Sequence, residues 1–287
     1  MSSQDRRESV DPRDGPSPAS IRRPAMRAIV TGAARGIGRA IALRLVQDAE
    51  TRREAPARLV VADQHADELA SLATALRARG AVVHACAGDL ADPEEPARIV
   101  AAAQDFGGLD CVASNAGFAR PASLLEAGID DWDRVFAVHV RAAWLLGRAA
   151  HPMLARARGC LVLTTSVSGT HATPPLAAYS PSKAAQIMLM RQMAVEWGAD
   201  GIRVNALSPG LTVTPGTAPA YERPGAREAR EAQIPLRRLA QPEDMAAALS
   251  MLVGPDAAYV HGHDLVVDGG LVHTLMPSLT QPAWQAR

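Results

Sequence analysis

Residues 27–38 read Arg27-Ala28-Ile29-Val30-Thr31-Gly32-Ala33-Ala34-Arg35-Gly36-Ile37-Gly38, and this stretch decides the fold. Its first five residues are largely apolar and β-branched at Ile29, Val30 and Thr31, which predicts a strand. Arg39–Val46 follows with apolar residues at helical spacing. Between the two lie Gly32, Gly36 and Gly38. Glycines let a backbone turn sharply and approach a pyrophosphate closely, and a helix N-terminus adds amide donors and a favourable dipole. The weight of the reading comes from the place of the turn, after a strand and before a helix.

Outward from this turn the same rhythm continues. Further strands are expected at Arg58–Ala62, Ala81–Ala85, Cys111–Ser114, Cys160–Thr165, Arg203–Leu207 and Asp264–Val267, with helical spacing over Asp67–Arg79 and Ala184–Trp197. Repeated strand–helix alternation predicts one doubly wound α/β domain over 26–271, a seven-stranded parallel sheet with helices on both faces. Residues 1–25 are rich in Ser, Arg, Asp and Pro and are expected to form a disordered arm; 272–287 are expected to form a tail. Asp48–Ala57 is a polar insertion. Thr212–Pro235, with Pro215, Gly216, Pro219, Pro224 and Gly225, is expected to be a mobile lid at the edge where such sheets bind ligands.

Composition excludes several classes of function. Lys+Arg and Asp+Glu are equal at 30 each, which gives no field to attract nucleic acid or an anionic membrane. Aromatic residues are 3% of the chain, too few for base-stacking platforms. Cys86, Cys111 and Cys160 show no CxxC spacing and fall in apolar segments, so reduced, buried thiols and no metal site are expected. His261-Gly262-His263 is read as a pair of surface histidines. The sequence shows neither a membrane-spanning apolar run nor a signal peptide, and a cytoplasmic location is expected.

Residues at the ends of the other strands add to the turn. Asp63 ends the second strand, where a carboxylate can accept both hydroxyls of an adenosine ribose and repel a 2′-phosphate. That favours NAD over NADP, although Arg35 pulls towards a 2′-phosphate. In Gly88-Asp89-Leu90 the carboxylate can meet the adenine amine or cap the helix near Pro93. Asn115 can tie neighbouring strands together and line the cofactor cleft, or simply form a turn.

Tyr179 and Lys183 are four residues apart at the start of a helical stretch, which puts both on one face. Pro181 between them is tolerated in a first helical turn. A tyrosine of pKa about 10 holds its proton at neutral pH; a nearby ammonium and an oxidised nicotinamide ring both favour the phenolate. Tyr179 can then take a hydroxyl proton as hydride leaves carbon, or give it back in reduction. Ser166, at the end of the fifth strand, can hydrogen-bond the substrate oxygen; no G-x-S-x-G elbow surrounds it.

Together these residues resemble the short-chain dehydrogenase/reductase family over about Met26–Leu271. Thr31–Gly38 fits its TGxxxGxG turn, Asn115-Ala116-Gly117 its NAG motif, and Tyr179 with Lys183 its YxxxK pair. Ser166 precedes Tyr179 by the family's usual thirteen residues. Pro209-Gly210 fits its PG turn, Thr214 the hydroxyl expected near the carboxamide, and Val267-Asp268-Gly269-Gly270 its C-terminal VDGG. The resemblance implies a Rossmann-type domain, an NAD(P) cofactor, a small alcohol or ketone substrate, Lys183 on the nicotinamide ribose and a homotetramer. Two departures stand out. Thr212 replaces a usual Ile or Val, and His139 occupies the place of a catalytic Asn that helps hold a water in a proton relay. A histidine there can preserve the relay and add pH dependence near its own titration, or fill the space and slow the proton. The alternative to an active NAD-linked oxidoreductase is therefore a cofactor-binding protein of the same fold with impaired turnover.

Overall fold

The computed structural model describes residues 25–274. The arm expected up to residue 25 and the tail expected from 272 therefore lie, apart from their innermost residues, outside the described residues. Seven strands form one sheet: β1 Arg27–Thr31, β2 Arg58–Asp63, β3 Val82–Ala87, β4 Cys111–Ser114, β5 Cys160–Thr164, β6 Arg203–Pro209 and β7 Asp264–Val267. Their order is β3-β2-β1-β4-β5-β6-β7, and every pairing is parallel. The chain thus winds outward from β1 in one direction, returns, and winds out in the other from β4, as the alternation of elements predicts.

The inner strands are apolar on both faces because both faces are covered. Ala28 and Val30 of β1, Leu59 and Val61 of β2, and Cys160 and Val162 of β5 point to one layer. There they meet helices α1 Gly36–Thr51, α2 Ala66–Ala78 and α8 Pro242–Val253 through Ile41, Leu72 and Leu249. Ile29, Val60, Leu161 and Leu163, one residue out of step, point to the other. They meet α3 Glu95–Ala101, α5 Ala142–Ala157 and α6 Tyr179–Trp197 through Ile99, Leu146 and Met190. The period-two alternation of a strand is what feeds two cores from one run of apolar residues. The three cysteines are buried free thiols.

The structure redraws three segments. The polar insertion expected at Asp48–Ala57 is partly helix, because α1 runs on to Thr51. Asp48 holds that last turn by pairing with Arg44 at 2.8 Å and accepting a hydrogen bond from Ser250 of α8. The segment Thr212–Pro235 is not a bare loop: it contains α7 Ala226–Gln233, which buries no residue. Helix α6 begins at Tyr179, ahead of the apolar periodicity at Ala184, with Pro181 in its first turn. Helix α4 Ile129–Phe136 passes through a π-helical turn, Ala137–Arg141, before α5. Among the described residues no helix is long and apolar enough to cross a membrane.

Leu161 sits at the centre of the second layer with no exposed surface. Leu161→Ala is expected to destabilise the fold by about 2–5 kcal/mol, through lost burial and the cavity left behind. Urea unfolding with an unchanged slope checks this.

Candidate active site

The parallel arrangement places the C-terminal ends of β1, β4, β5 and β6 along one edge of the sheet, and the chemistry-bearing residues gather there. The turn after β1 leads into α1, whose first residues Gly36, Ile37 and Gly38 lack a side-chain cap and have no acidic neighbour in the first turn. Their amides and the helix dipole suit an anion. The turn is tight. A Cβ on Gly38 would lie 2.1 Å from the Gly32 carbonyl oxygen and 2.6 Å from Asn115 Nδ2. Gly36 has φ +55°, and a Cβ there would meet Thr214 at 3.3 Å. This close-packed turn with its uncapped amides fits the pyrophosphate of a dinucleotide.

Asn115 does tie strands together. Its Nδ2 donates to the carbonyls of Thr31 and Gly32, and its backbone N–H donates to Thr31 Oγ1 at 3.0 Å. The end of β4 is thereby fastened to the start of the glycine turn. Pro209 closes β6, and the Gly210 N–H donates to Val267 of β7 at 3.0 Å. Thr212 is buried, its hydroxyl donating to the Gly210 carbonyl at 3.2 Å. Thr214 lies across from Gly36, so the segment after β6 leans over the glycine turn. Ile37 and Leu90 pack at the margins of the two cores. Asp89 accepts the Ala91 N–H and pairs with Arg134 of α4 at 2.7 Å; it does not cap α3. Burial pushes its carboxyl up, but the Ala91 and Arg134 bonds hold it below the usual range.

At the far end of the edge, Ser166, Tyr179 and Lys183 come together. Ser166 lies two residues past the end of β5, is buried, and accepts the Ser168 N–H at 3.1 Å. Burial raises the Tyr179 phenol above its ordinary value, and a hydrogen bond with Ser166 opposes that rise. Lys183 is 3% exposed, its Nζ 5.6 Å from the centre of the Tyr179 ring. Burial lowers its ammonium to about 7. Nζ donates to the Thr164 carbonyl at 2.9 Å and to Gln186 Oε1 at 2.8 Å. A cavity of about 210 Å³ between Arg120, Trp132 and Ala178 lies beside this group but is not lined by Ser166, Tyr179 or Lys183.

His139 lies in the π-helical turn and has no exposed surface. Such turns accommodate one extra residue and often sit at functional sites. Its Nε2 accepts the Phe118 N–H at 3.1 Å, so the ring proton belongs on Nδ1, which faces Ser182 Oγ at 2.8 Å. Ser182 Oγ in turn donates to the Tyr179 carbonyl at 2.7 Å. Burial first, and then the Lys183 charge, push His139 well below its ordinary pKa. A titration of His139 near 6.5 therefore has no place in this environment. The ring is a neutral post under the first turn of α6. Ser182, His65 and Gln186 were not singled out from the sequence. For Gln186 a signal exists: one amide three residues after Lys183, inside an otherwise apolar run.

The family model described as "Enoyl-(Acyl carrier protein) reductase" matches residues 32–272. The meso-2,3-butanediol dehydrogenase of Serratia marcescens is 33% identical over 243 residues, covering 84% of this chain and 92% of that one. The Pseudomonas aeruginosa RhlG/NADP active-site complex is 32% identical with a TM-score of 0.78, covering 86% of this chain and 96% of that one. A short chain dehydrogenase from Burkholderia cenocepacia, in complex with NADP, is 33% identical with a TM-score of 0.78, covering 86% and 98%. The chain belongs to the short-chain dehydrogenase/reductase family. It is an oxidoreductase that transfers hydride between an alcohol and a ketone with a nicotinamide dinucleotide.

The expected preference for NAD is overturned. The Pseudomonas and Burkholderia relatives hold NADP. The structure gives a physical reason why Asp63 misled. Its Oδ2 accepts the Ala34 N–H at 3.0 Å; its Oδ1 accepts the His65 N–H at 3.0 Å and lies 2.8 Å from His65 Nδ1. With its side chain 8% exposed, the carboxylate fastens the glycine turn rather than standing free at a ribose.

His139 also makes a stability prediction. Its folded-state pKa lies below the unfolded value of about 6.5, so acidification protonates the unfolded chain first and stability falls as pH drops. Below pH about 6.5 the slope from this residue approaches about 1.4 kcal/mol per pH unit. His139→Asn is expected to flatten the dependence of Tm on pH between about 5 and 6.5. Equal slopes in wild type and variant would mean that His139 is not held neutral.

Proposed function

We propose that Tyr179 is the acid/base of this reaction on a small secondary alcohol or ketone, with Ser166 aligning the substrate oxygen and Lys183 supporting both Tyr179 and the cofactor. The observation that carries this reading is the convergence of Ser166, Tyr179 and Lys183 beside the glycine turn. The dinucleotide, when bound, supplies or accepts the hydride. Gly32, Gly36, Ile37 and Gly38 would hold its pyrophosphate, Lys183 its nicotinamide ribose, and Pro209, Gly210, Thr212 and Thr214 the carboxamide side. Asn115 fixes the floor of the cleft, and Asp89 with Leu90 would border the adenine.

In reduction, the Ser166 hydroxyl donates to the carbonyl oxygen and Tyr179 delivers its proton to that oxygen as the carbon is reduced. In oxidation, Tyr179 receives the proton from the alcohol. Burial keeps the phenol protonated in the protein alone, so positive charge at Lys183 is what favours loss of that proton. His139 leaves this arrangement in place: its ring nitrogens bond Ser182 and Phe118, and its ring meets the Tyr179 ring edge-on at 5.6 Å. Tyr179→Phe is expected to lower kcat about 10²–10⁴-fold with dinucleotide Kd within a few-fold of wild type. Reduced-nicotinamide absorbance with a panel of diols and ketones, alongside fluorescence titration, measures both; retained turnover removes Tyr179 from the mechanism.

Arg35 is the group suited to a 2′-phosphate. It is exposed, follows the Asp63-anchored Ala34, and forms no ion pair among the described residues. Arg35→Ala is expected to weaken NADPH binding roughly tenfold or more while changing NADH little, since a charged hydrogen bond contributes about 1.5–3 kcal/mol. Equal losses for both nucleotides would reject the assignment. The expected homotetramer finds support in exposed apolar side chains, Trp144 on α5, Met188 on α6, Met251 on α8 and Tyr259 after it.

A further inference from the structure

Lys183 is the only lysine in the chain; every other cationic side chain of fixed charge is an arginine. It is also buried, on the inward face of α6, between two other buried polar residues, Ser182 and Gln186. Gln186 is 1% exposed and lies beside Ile187 and Met190, surroundings in which an unpaired amide is costly. What answers that cost is Lys183. An ammonium can only donate, so the Gln186 oxygen must be the atom facing Nζ, at 2.8 Å. The Thr164 carbonyl takes a second N–H at 2.9 Å from another element, the end of β5.

An ammonium has three N–H groups, and the protein itself takes two of them. The titratable groups facing Nζ are Tyr179 of α6 and His139 of the π-helical turn. His139 offers Nζ no free lone pair, because its Nε2 already accepts the Phe118 N–H. No carboxylate forms an ion pair with Lys183 among the described residues.

We infer that Gln186 is a positioning residue for Lys183: by taking one N–H opposite the Thr164 carbonyl, it fixes Nζ beside Tyr179, favours its charged form, and leaves a single N–H for the cofactor ribose. This rests on the role proposed above for Lys183. Burial alone lowers the Lys183 ammonium to about 7, where neutral and charged forms are comparable. An acceptor carbonyl bonds the charged form and not the neutral one, so losing it should lower the titration further.

The single lysine makes the test direct. Protein labelled at lysine Cε with ¹³C gives one lysine side-chain signal, whose pH titration is followed without dinucleotide or substrate. Gln186→Leu is expected to lower the midpoint by about one unit, and Gln186→Glu to raise it by a similar amount. Gln186→Met repeats the first measurement should the leucine variant fold poorly. Midpoints in the leucine or methionine variant equal to wild type overturn the inference and leave Gln186 as packing. Because neither cofactor nor turnover enters the measurement, this outcome is independent of whether Tyr179→Phe loses activity.

Discussion

A parallel sheet buried on both faces is the constraint from which the site follows. Parallel strands cannot be joined by hairpins, so each must be followed by a crossover, and the crossovers are helices that cover the faces. All strands then end at the same edge. Thr31, Asp63, Ser114, Thr164 and Pro209 are strand ends from distant parts of the chain, yet they border one crevice. The reversal between β1 and β4 opens that crevice, and the bonds from Asn115 to Thr31 and Gly32 fasten its two sides. The glycine turn keeps its shape because Asp63 and Asn115 hold it from β2 and β4.

Electrostatics at the reactive end is governed by burial. Burial of Lys183 and His139, and partial burial of Tyr179, favours the neutral form of each. Against that background a few hydrogen bonds decide the outcome. His139 is held as one neutral tautomer by a backbone N–H on one side and a serine on the other. Lys183 is met by two carbonyl oxygens that favour its charge. The Tyr179 ring borders both, and its phenol bonds Ser166. The departure at His139 thus alters what lies beneath the helix that carries Tyr179.

The fold was largely legible in the sequence, because strand and helix are written in local periodicity. The bounds of β1, β4 and β7 agree with those expected, and β3 shifts only to Val82–Ala87. The misses are local too. The last turn of α1 is polar because Asp48 faces Ser250 on α8, a partner remote in sequence. Helix α7 escaped notice because it buries nothing and so carries no apolar stripe.

The sequence by itself determined the doubly wound sheet, the glycine turn and the Ser166, Tyr179 and Lys183 constellation, since these rest on residue type at fixed spacing. Only the tertiary structure decided how the individual polar groups behave. Asp63 looked like a guard against a 2′-phosphate, and its carboxylate turned out to be engaged by Ala34 and His65. His139 looked like a pH-sensitive link, and burial holds it neutral. Gln186 looked like one polar residue in an apolar helix, and it meets the only lysine of the chain. The reason is common to all three. A side chain's charge and bonding depend on which donors, acceptors and low-dielectric surfaces surround it, and those come from residues that only folding brings near.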